Sequence, residues 1–176
     1  WARQTVSPGV EDLGDEPRLI LPAYTQVMQQ VGDARQVAQT HHYGHDVRLL
    51  EASLSGSRVK VYLVDCPAAF AREGNPYVGP DGQDWPDNAW RFALFCQVVV
   101  DVALNRIGLD WPVDLVHCND WQTGLVPALL SRFDKRPASV FTIHNLAYQG
   151  IFSAEVFFNL GLPAELWDMH GVEFHG

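Results

Sequence analysis

Phe141-Thr-Ile-His-Asn-Leu-Ala-Tyr-Gln-Gly150 is the stretch of sequence that decides the fold. It begins as an apolar run typical of a buried strand and changes to polar, aromatic and glycine residues where such a strand would end. The run Val113-Asp-Leu-Val-His-Cys-Asn-Asp120 follows the same pattern earlier in the chain. In open α/β sheets, ligands bind outside the carboxyl ends of the strands. We therefore expect His144 and Asp120 to share one polar site.

Outward from these two strands, the later half of the chain alternates helices and strands. Its strands are continuous apolar runs, which is typical of a parallel sheet covered on both faces. The predicted elements are strands at 18–22, 47–54, 59–64, 113–116 and 139–143, helices at 24–39, 87–105 and 124–133, and a broken helix at 153–168. Residues 55–57 would turn a β-hairpin, and residues 67–86 form a long loop. The fold class is α/β and Rossmann-like, a mostly parallel sheet with helices on both faces plus a β-hairpin.

Composition limits the possible functions. The 176 residues carry a net charge of -9, which argues against a nucleic-acid groove lined with Lys and Arg. No apolar run reaches the ~18 residues that a membrane span requires. Three cysteines without a C-x-x-C pair favour buried thiols in a reducing cytoplasm over a disulfide framework. No pattern in the sequence assigns an oligomeric state.

The polar residues after the two strands admit three interpretations. Asp120 and His117 suit a helix cap, because a carboxylate there accepts from first-turn amides. Together with His144 they also suit a metal-dependent hydrolase that activates water. The third interpretation is a sugar site, since Asp, Asn and His offer acceptors and donors for hydroxyl groups. Flat aromatic faces for sugar rings are available from three further residues, which are Tyr77, Trp121 and Tyr148.

Two other features are weaker candidates. Trp85, Trp90 and Tyr77 would suffice for a non-catalytic glucan-binding module if their rings were exposed. The histidine tract at residues 41–45 is predicted to be a solvated connector. Asp87 is predicted to cap the helix that follows it, and the pattern Asp87-Asn-Ala-Trp-Arg91 suits either an ion-pair device or the lining of a cleft.

Several motifs together resemble bacterial glycogen synthase and plant starch synthase. The resemblance runs in order from about residue 18 to residue 176, and its most specific part is the His-Asn-Leu-Ala-Tyr-Gln-Gly run at 144–150. The other matching stretches are Arg18-Leu-Ile-Leu-Pro-Ala-Tyr24, Gly74-Asn-Pro-Tyr77, Asp87-Asn-Ala-Trp-Arg-Phe92, His117-Cys-Asn-Asp-Trp-Gln-Thr-Gly-Leu125 and His170-Gly-Val-Glu-Phe174.

The resemblance implies a two-lobed glycosyltransferase of GT-B architecture. Such an enzyme transfers glucose from ADP-glucose to the non-reducing end of an α-1,4-glucan with retention, without a metal or other cofactor. By similarity, His144 and Asp120 would be catalytic, with His144 contacting the transferred glucose. Substrate-binding roles would fall to Tyr77, Trp121, Asn145, Tyr148 and Gln149.

The same resemblance divides the chain. Residues 18–176 would form most of the N-terminal, acceptor-side lobe, whereas residues 1–17 are irregular and do not match it. The family begins with a strand and a Lys-Thr-Gly-Gly loop that grips the donor phosphates, and neither is present here. The C-terminal donor lobe is also absent. We therefore expect this chain alone to be inactive. The missing first strand would leave apolar strand edges exposed, so either residues 1–17 partly fill the gap or the chain is unstable on its own.

Overall fold

A computed structural model describes residues 16–53 and 59–173. Its larger sheet has four strands in the order β1-β4-β3-β2. The strands are β1 (Arg18–Pro22), β2 (Arg35–His42), β3 (His45–Ser53) and β4 (Lys60–Asp65). The β1–β4 pair is parallel, and the other two pairs are antiparallel. The sheet is therefore mixed, and the predicted antiparallel pair of strands at 47–54 and 59–64 is present as β3 and β4.

A second, two-stranded sheet pairs β5 (Leu115–Asn119) with β6 (Ala138–Thr142) in parallel. Between these strands the chain forms a 3-10 turn at Trp121–Thr123 and helix α4 (Leu125–Leu130). This strand-helix-strand unit is the one that the sequence predicts, and it brings the carboxyl ends of β5 and β6 to one edge. The α/β fold is thus confirmed, although only two of the four described strand pairings are parallel.

Helix α3 (Asn88–Ala103) is the centre of the packing. Thirteen of its sixteen residues are buried, so it is apolar on nearly all sides and not one-sided as the sequence pattern suggests. It shares one core cluster with residues of β3, β4 and α4. The three cysteines are unpaired and buried as predicted, and Cys96 lies within this helix. The remaining helical segments are α1 (Thr25–Met28), α2 (Pro67–Phe70), α5 (Ala154–Asn159) and a 3-10 turn at Ala164–Leu166.

The predicted helix at residues 24–39 is wrong. Only α1 (Thr25–Met28) is helical there; residues 29–34 form a turn and loop, and residues 35–39 belong to β2. The Gln-rich window has helical propensity, but seven of the eight residues of β2 pair with β3 instead, and such pairing overrides a weak local preference. The turn between β2 and β3 consists of Tyr43 and Gly44, both at positive φ, which is the geometry of a tight two-residue hairpin.

The histidine tract is therefore a hairpin and not a solvated connector. His42 ends β2, and its Nε2 lies 2.7 Å from Oδ2 of Asp101 on α3. The same carboxylate oxygen accepts a hydrogen bond from Thr40 Oγ1 at 3.0 Å. Asp101 is only 8% exposed, so this contact ties the edge strand to the central helix through buried polar groups.

The second sheet carries apolar side chains that face solvent. Its exposed residues and those of the loop after it include Leu115, Val140, Phe141, Ile143, Leu146, Ile151 and Phe152. No helix in the described part of the chain is long and apolar enough to cross a membrane. The predicted hairpin turn at 55–57, Phe174 of the last motif and most of the predicted irregular segment 1–17 lie outside the described residues.

Candidate functional site

The site is built on the carboxyl ends of β5 and β6. Asp120 directly follows β5, and His144 comes two residues after β6. The backbone N–H of His144 donates to Oδ1 of Asp120 at 2.7 Å, and its Nδ1 lies 3.0 Å from Oδ2. The structure therefore brings together the two side chains that the sequence singled out, through two contacts to one carboxylate.

Asp120 has an unusual backbone conformation. Its φ of 58° and ψ of 177° fall in a region that only glycine adopts readily. Holding a residue there costs about 1–3 kcal/mol. The neighbouring strand provides an anchor, because the Asp120 N–H donates to the carbonyl oxygen of Thr142 at 2.9 Å. Strain of this kind clusters at functional sites, where the surrounding structure maintains it.

The helix-cap interpretation of Asp120 is wrong. Asp120 occupies the position before the 3-10 turn at Trp121–Thr123, yet its side chain makes no capping hydrogen bond. Both carboxylate oxygens contact His144 instead. The strained backbone explains this outcome, because it turns the carboxylate away from the following amides and towards the neighbouring strand.

The contact with Asp120 also defines the state of the His144 ring. A carboxylate accepts hydrogen bonds and donates none when ionised, so Nδ1 carries the proton that lies between the two groups. Nε2 is then the nitrogen left for a ligand. The His144 side chain is 57% exposed, so a ligand in solvent can reach it. A fixed imidazole of this kind can accept a hydrogen bond from a hydroxyl group.

Trp121 supports the loop that follows His144. Its ring lies 5.0 Å from the ring of Phe92 and 5.7 Å from that of Phe152. The backbone of Gly150 crosses the ring so closely that a Cβ there would collide with the indole. One face of Trp121 is thus covered by protein.

The other predicted substrate residues after β6 lie in an exposed turn. Asn145 Oδ1 accepts from the backbone N–H of Ala147 at 2.9 Å, which shapes the turn. Gln149 Nε2 donates to the carbonyl oxygen of Leu146 at 3.0 Å. Tyr148 is 69% exposed. The Tyr148 ring is therefore accessible to solvent, whereas Asn145 and Gln149 also hold the local backbone.

Tyr77 approaches the site from the long loop at 71–87. Its ring packs on Phe92 with 6.2 Å between centroids. Burial and the charge of the Asp120 carboxylate raise the pKa of the Tyr77 hydroxyl. Phe92 in turn contacts Trp121, which directly follows Asp120, so Tyr77 lies in the same region as the strand ends.

The metal-dependent hydrolase has no site in the structure. The Nε2 atom of His117 lies 2.8 Å from Oγ1 of Thr142, and this histidine does not join Asp120 and His144. Within residues 16–53 and 59–173, no group of three His, Cys, Asp or Glu side chains converges in a way that suits a metal ion. The proposed ligand set of the hydrolase is therefore wrong.

The glucan-binding module required exposed aromatic rings, and the structure does not provide them. The guanidinium of Arg72 covers Trp85 at 4.9 Å from the ring centroid. Trp90 packs against His45 at 5.1 Å, and Tyr77 is half-buried against Phe92. These rings stabilise the loop and the hairpin, so this alternative is not supported.

An apolar cavity adjoins the site, and the sequence reasoning missed it. Its volume is about 420 Å³. It lies under the loop at 143–152, between α3 and α5. Its lining includes Phe92, Cys96, Trp121, Phe141, Ile143, Leu146, Phe152, Phe157 and Trp167. The apolar residues at 143, 146, 151 and 152 were the available signal, because they interrupt a polar loop.

The loop that carries Tyr77 is anchored by ionic side chains. Arg72 donates two hydrogen bonds to the carboxylate of Asp87, at 2.7 and 2.5 Å. Asp87 occupies the N-cap position of α3 as predicted, but its side chain makes no capping bond, because the guanidinium of Arg72 takes the carboxylate. Burial disfavours the charged form of Asp87, yet the pair with Arg72 outweighs it and lowers the pKa of the carboxyl group.

We expect an Asp87→Asn variant to reveal this pair as a pH-dependent loss of stability. Because the folded-state pKa is lowered, the advantage of the wild type is complete above the ordinary aspartate value of 3.8. It disappears as the pH falls through the lowered value. Urea unfolding of both proteins over this range measures the difference. An Arg72→Gln variant should lose the same pH dependence, and an advantage of the wild type that persists in acid would contradict the assignment.

Comparison with known proteins places this arrangement in a family. Residues 4–176 match the starch synthase catalytic domain. The chain belongs to the starch synthase catalytic domain family. Among curated relatives of this starch synthase domain, a glycogen synthase from Thioalkalivibrio sulfidiphilus is 51% identical over 167 residues, which are 93% of this chain and 35% of that protein. Glycogen synthase 1 from Methylococcus capsulatus is 49% identical over 164 residues, which are 93% of the chain and 33% of that protein.

A solved structure has the same fold. The catalytic domain of starch synthase IV from Arabidopsis thaliana, bound to ADP and acarbose, superposes with a TM-score of 0.72 at 24% identity. The match covers 92% of this chain and 33% of that one. The starch synthase domain described here therefore spans about a third of the length of the relatives it matches.

Proposed function

We propose that this chain is the acceptor-side lobe of a longer glycosyltransferase, hereafter the full-length enzyme. The full-length enzyme transfers glucose from ADP-glucose to the non-reducing end of an α-1,4-glucan with retention, as in glycogen synthesis. The observation that carries the proposal is the paired Asp120 and His144 at adjoining strand ends, within a domain about 50% identical to glycogen synthases. Residues 18–176 form the lobe, and a second lobe supplies the donor contacts.

The residues of the site have distinct roles in this proposal. Asp120 orients the His144 ring through Nδ1, and Nε2 of His144 binds a hydroxyl group of the transferred glucose. Preorganised groups of this kind stabilise a transition state because they need no reorganisation as charge develops. Tyr77 and Tyr148 border the sugar-binding cleft, and Trp121, Asn145 and Gln149 maintain the shape of its wall.

The choice of donor is supported by a neighbour in structure. The starch synthase IV catalytic domain was solved with ADP and acarbose, so the proposed donor is ADP-glucose and the acceptor is a glucan. ADP-glucose is a substrate here, and the proposal includes no metal or other cofactor. Three free, buried cysteines support a cytoplasmic location.

The proposal is tested by a His144→Ala variant of the full-length enzyme. We expect transfer of labelled glucose from ADP-glucose to glycogen to fall by a factor of about 10²–10³, the size of effect found when one preorganised hydrogen-bonding group is removed from a catalytic site. His117→Ala is the matched control, because His117 is also exposed and also contacts a residue of this sheet edge. Its rate should stay near that of the wild type.

The chain on its own provides a further comparison. Without a second lobe it holds half of the proposed site, so it should transfer no glucose under conditions in which the full-length enzyme does. Turnover by the isolated chain would refute the two-lobe proposal. A His144→Ala enzyme with the wild-type rate would refute the role of His144. Retention of the His144→Ala and His117→Ala enzymes in glycogen gels would show that both still bind glucan.

A further inference from the structure

Arg91 is a fully buried cation without a partner carboxylate. It is 1% exposed and forms no ion pair within 4 Å in the described part of the chain. Its Nε donates to the carbonyl oxygen of Ala69 at 2.7 Å, and its Nη1 donates to that of Pro76 at 3.2 Å and to Oδ1 of Asn88 at 2.7 Å. Burial lowers the pKa of Arg91, so the fold maintains a costly charge whose hydrogen bonds go to backbone oxygens of α2 and of the loop and to the side chain of Asn88.

Asn88 extends this contact to the next residue of the loop. It is 4% exposed, and its Nδ2 donates to the carbonyl oxygen of Tyr77 at 2.9 Å. Arg91 and Asn88 therefore hold the consecutive carbonyl groups of Pro76 and Tyr77. The same Tyr77 oxygen accepts from the backbone N–H of Trp85 at 3.1 Å, which closes the loop on itself.

The ring of Tyr77 is held by the residue next to Arg91. Phe92 lies 6.2 Å from the Tyr77 ring and 5.0 Å from the ring of Trp121, which directly follows Asp120. One end of the buried helix α3 thus fixes both the backbone and the ring of Tyr77 relative to the strand ends. A loop without regular structure acquires a defined position in this way.

We propose that Arg91, together with Asn88, is a positioning residue that fixes Tyr77 and so sets the affinity of the full-length enzyme for its glucan acceptor. This inference rests on the proposed function. Arg91 acts through its hydrogen-bond geometry and not through its charge, because it is sealed from the ligand and its donors meet neutral oxygens. Lysine keeps the charge but lacks the planar set of donors, so it cannot reach the same oxygens together.

The test measures the KM for glycogen and kcat in the full-length enzyme. We expect Arg91→Lys and Asn88→Ala each to raise this KM about tenfold while kcat stays within about threefold, because a displaced loop weakens binding more than chemistry. The matched control is Asp101→Asn, at the opposite end of α3, which replaces the charged acceptor of the buried contacts to Thr40 and His42 with a neutral amide. It should lower the Tm and leave the KM unchanged. If Arg91→Lys does not fold, Asn88→Ala tests the inference in its place. This variant removes only the hydrogen bonds of the Asn88 side chain to Arg91 and to the Tyr77 carbonyl group.

An unchanged KM in the folded variants, or an equal rise in Asp101→Asn, would overturn the inference. If the wild type transfers no glucose, the proposed function fails, and hydrogen exchange then decides the positioning alone. The Trp85 amide, which donates to the Tyr77 carbonyl, should exchange about tenfold faster in Arg91→Lys and at the wild-type rate in Asp101→Asn. Equal exchange rates in all three proteins would show that Arg91 does not hold the loop.

Discussion

A Gly150→Ala substitution is expected to destabilise the chain and to abolish glucose transfer by the full-length enzyme. Gly150 has a φ of 62° and lies against the indole of Trp121. A methyl group there meets the ring, and the contacts of the ring with Phe92 and Phe152 oppose its displacement. The loop that begins at His144 must then move. We expect a loss of about 1–3 kcal/mol in the free energy of unfolding and at least about 100-fold in transfer rate.

Gly161→Ala is the matched control for this substitution. Gly161 has a φ of 61°, almost the same as that of Gly150, but a Cβ at this position has no neighbour within 4 Å. The Gly161→Ala variant therefore has the same backbone strain as Gly150→Ala but no collision with a neighbouring ring. Urea unfolding and the transfer assay on both variants separate the two effects. Equal losses in the two variants would mean that Trp121 yields easily and does not support the loop.

An Asp120→Asn substitution is expected to lower kcat of the full-length enzyme about 100-fold with little change in stability. The amide oxygen still accepts from the backbone of His144, but its nitrogen is a donor facing Nδ1. The imidazole must then place its proton on Nε2. The nitrogen that faces the ligand changes from acceptor to donor, so the ring presents the wrong group to the sugar. Nitrogen NMR of the labelled imidazole reads this change directly.

The control for Asp120→Asn is Asp46→Asn. Asp46 contacts Nδ1 of His41 at 2.8 Å on the hairpin, which is a similar pair remote from the strand ends. Loss of the His41–Asp46 pair should leave kcat of the full-length enzyme unchanged. Asp120→Gly adds a second comparison, because glycine relieves the strained backbone and should keep the fold stable while transfer is lost. A normal kcat in Asp120→Asn, or an unchanged tautomer, would remove Asp120 from the proposed mechanism.

The parts of the fold that the sequence predicted well are those with local causes. Strands β5 and β6 are short apolar runs that end in polar residues, and the helix between them begins near Pro127, as expected for a first-turn proline. The meeting of Asp120 and His144 followed from parallel strands sharing an edge. Their roles as catalytic groups stay predictions.

The parts that could not be predicted depend on contacts between distant residues. Residues 35–42 form a strand only because β3 is available to pair with them. The loop at 71–87 looks unstructured in sequence, yet Arg91 holds the carbonyl group of Pro76 from a helix that begins after the loop. Trp121 seemed suited to stack on a sugar, and only the close approach of Gly150 shows that one face is covered.

The burial of α3 on nearly all sides limits how this domain can change in length. Each residue inserted into a helix rotates everything after it by about 100°. An insertion between Arg91 and Asp101 would rotate Asp101 away from His42 on the hairpin. The hydrogen bond from Asn88 to the Tyr77 carbonyl group would stay in place. Insertions and deletions among homologues should therefore spare residues 88–103.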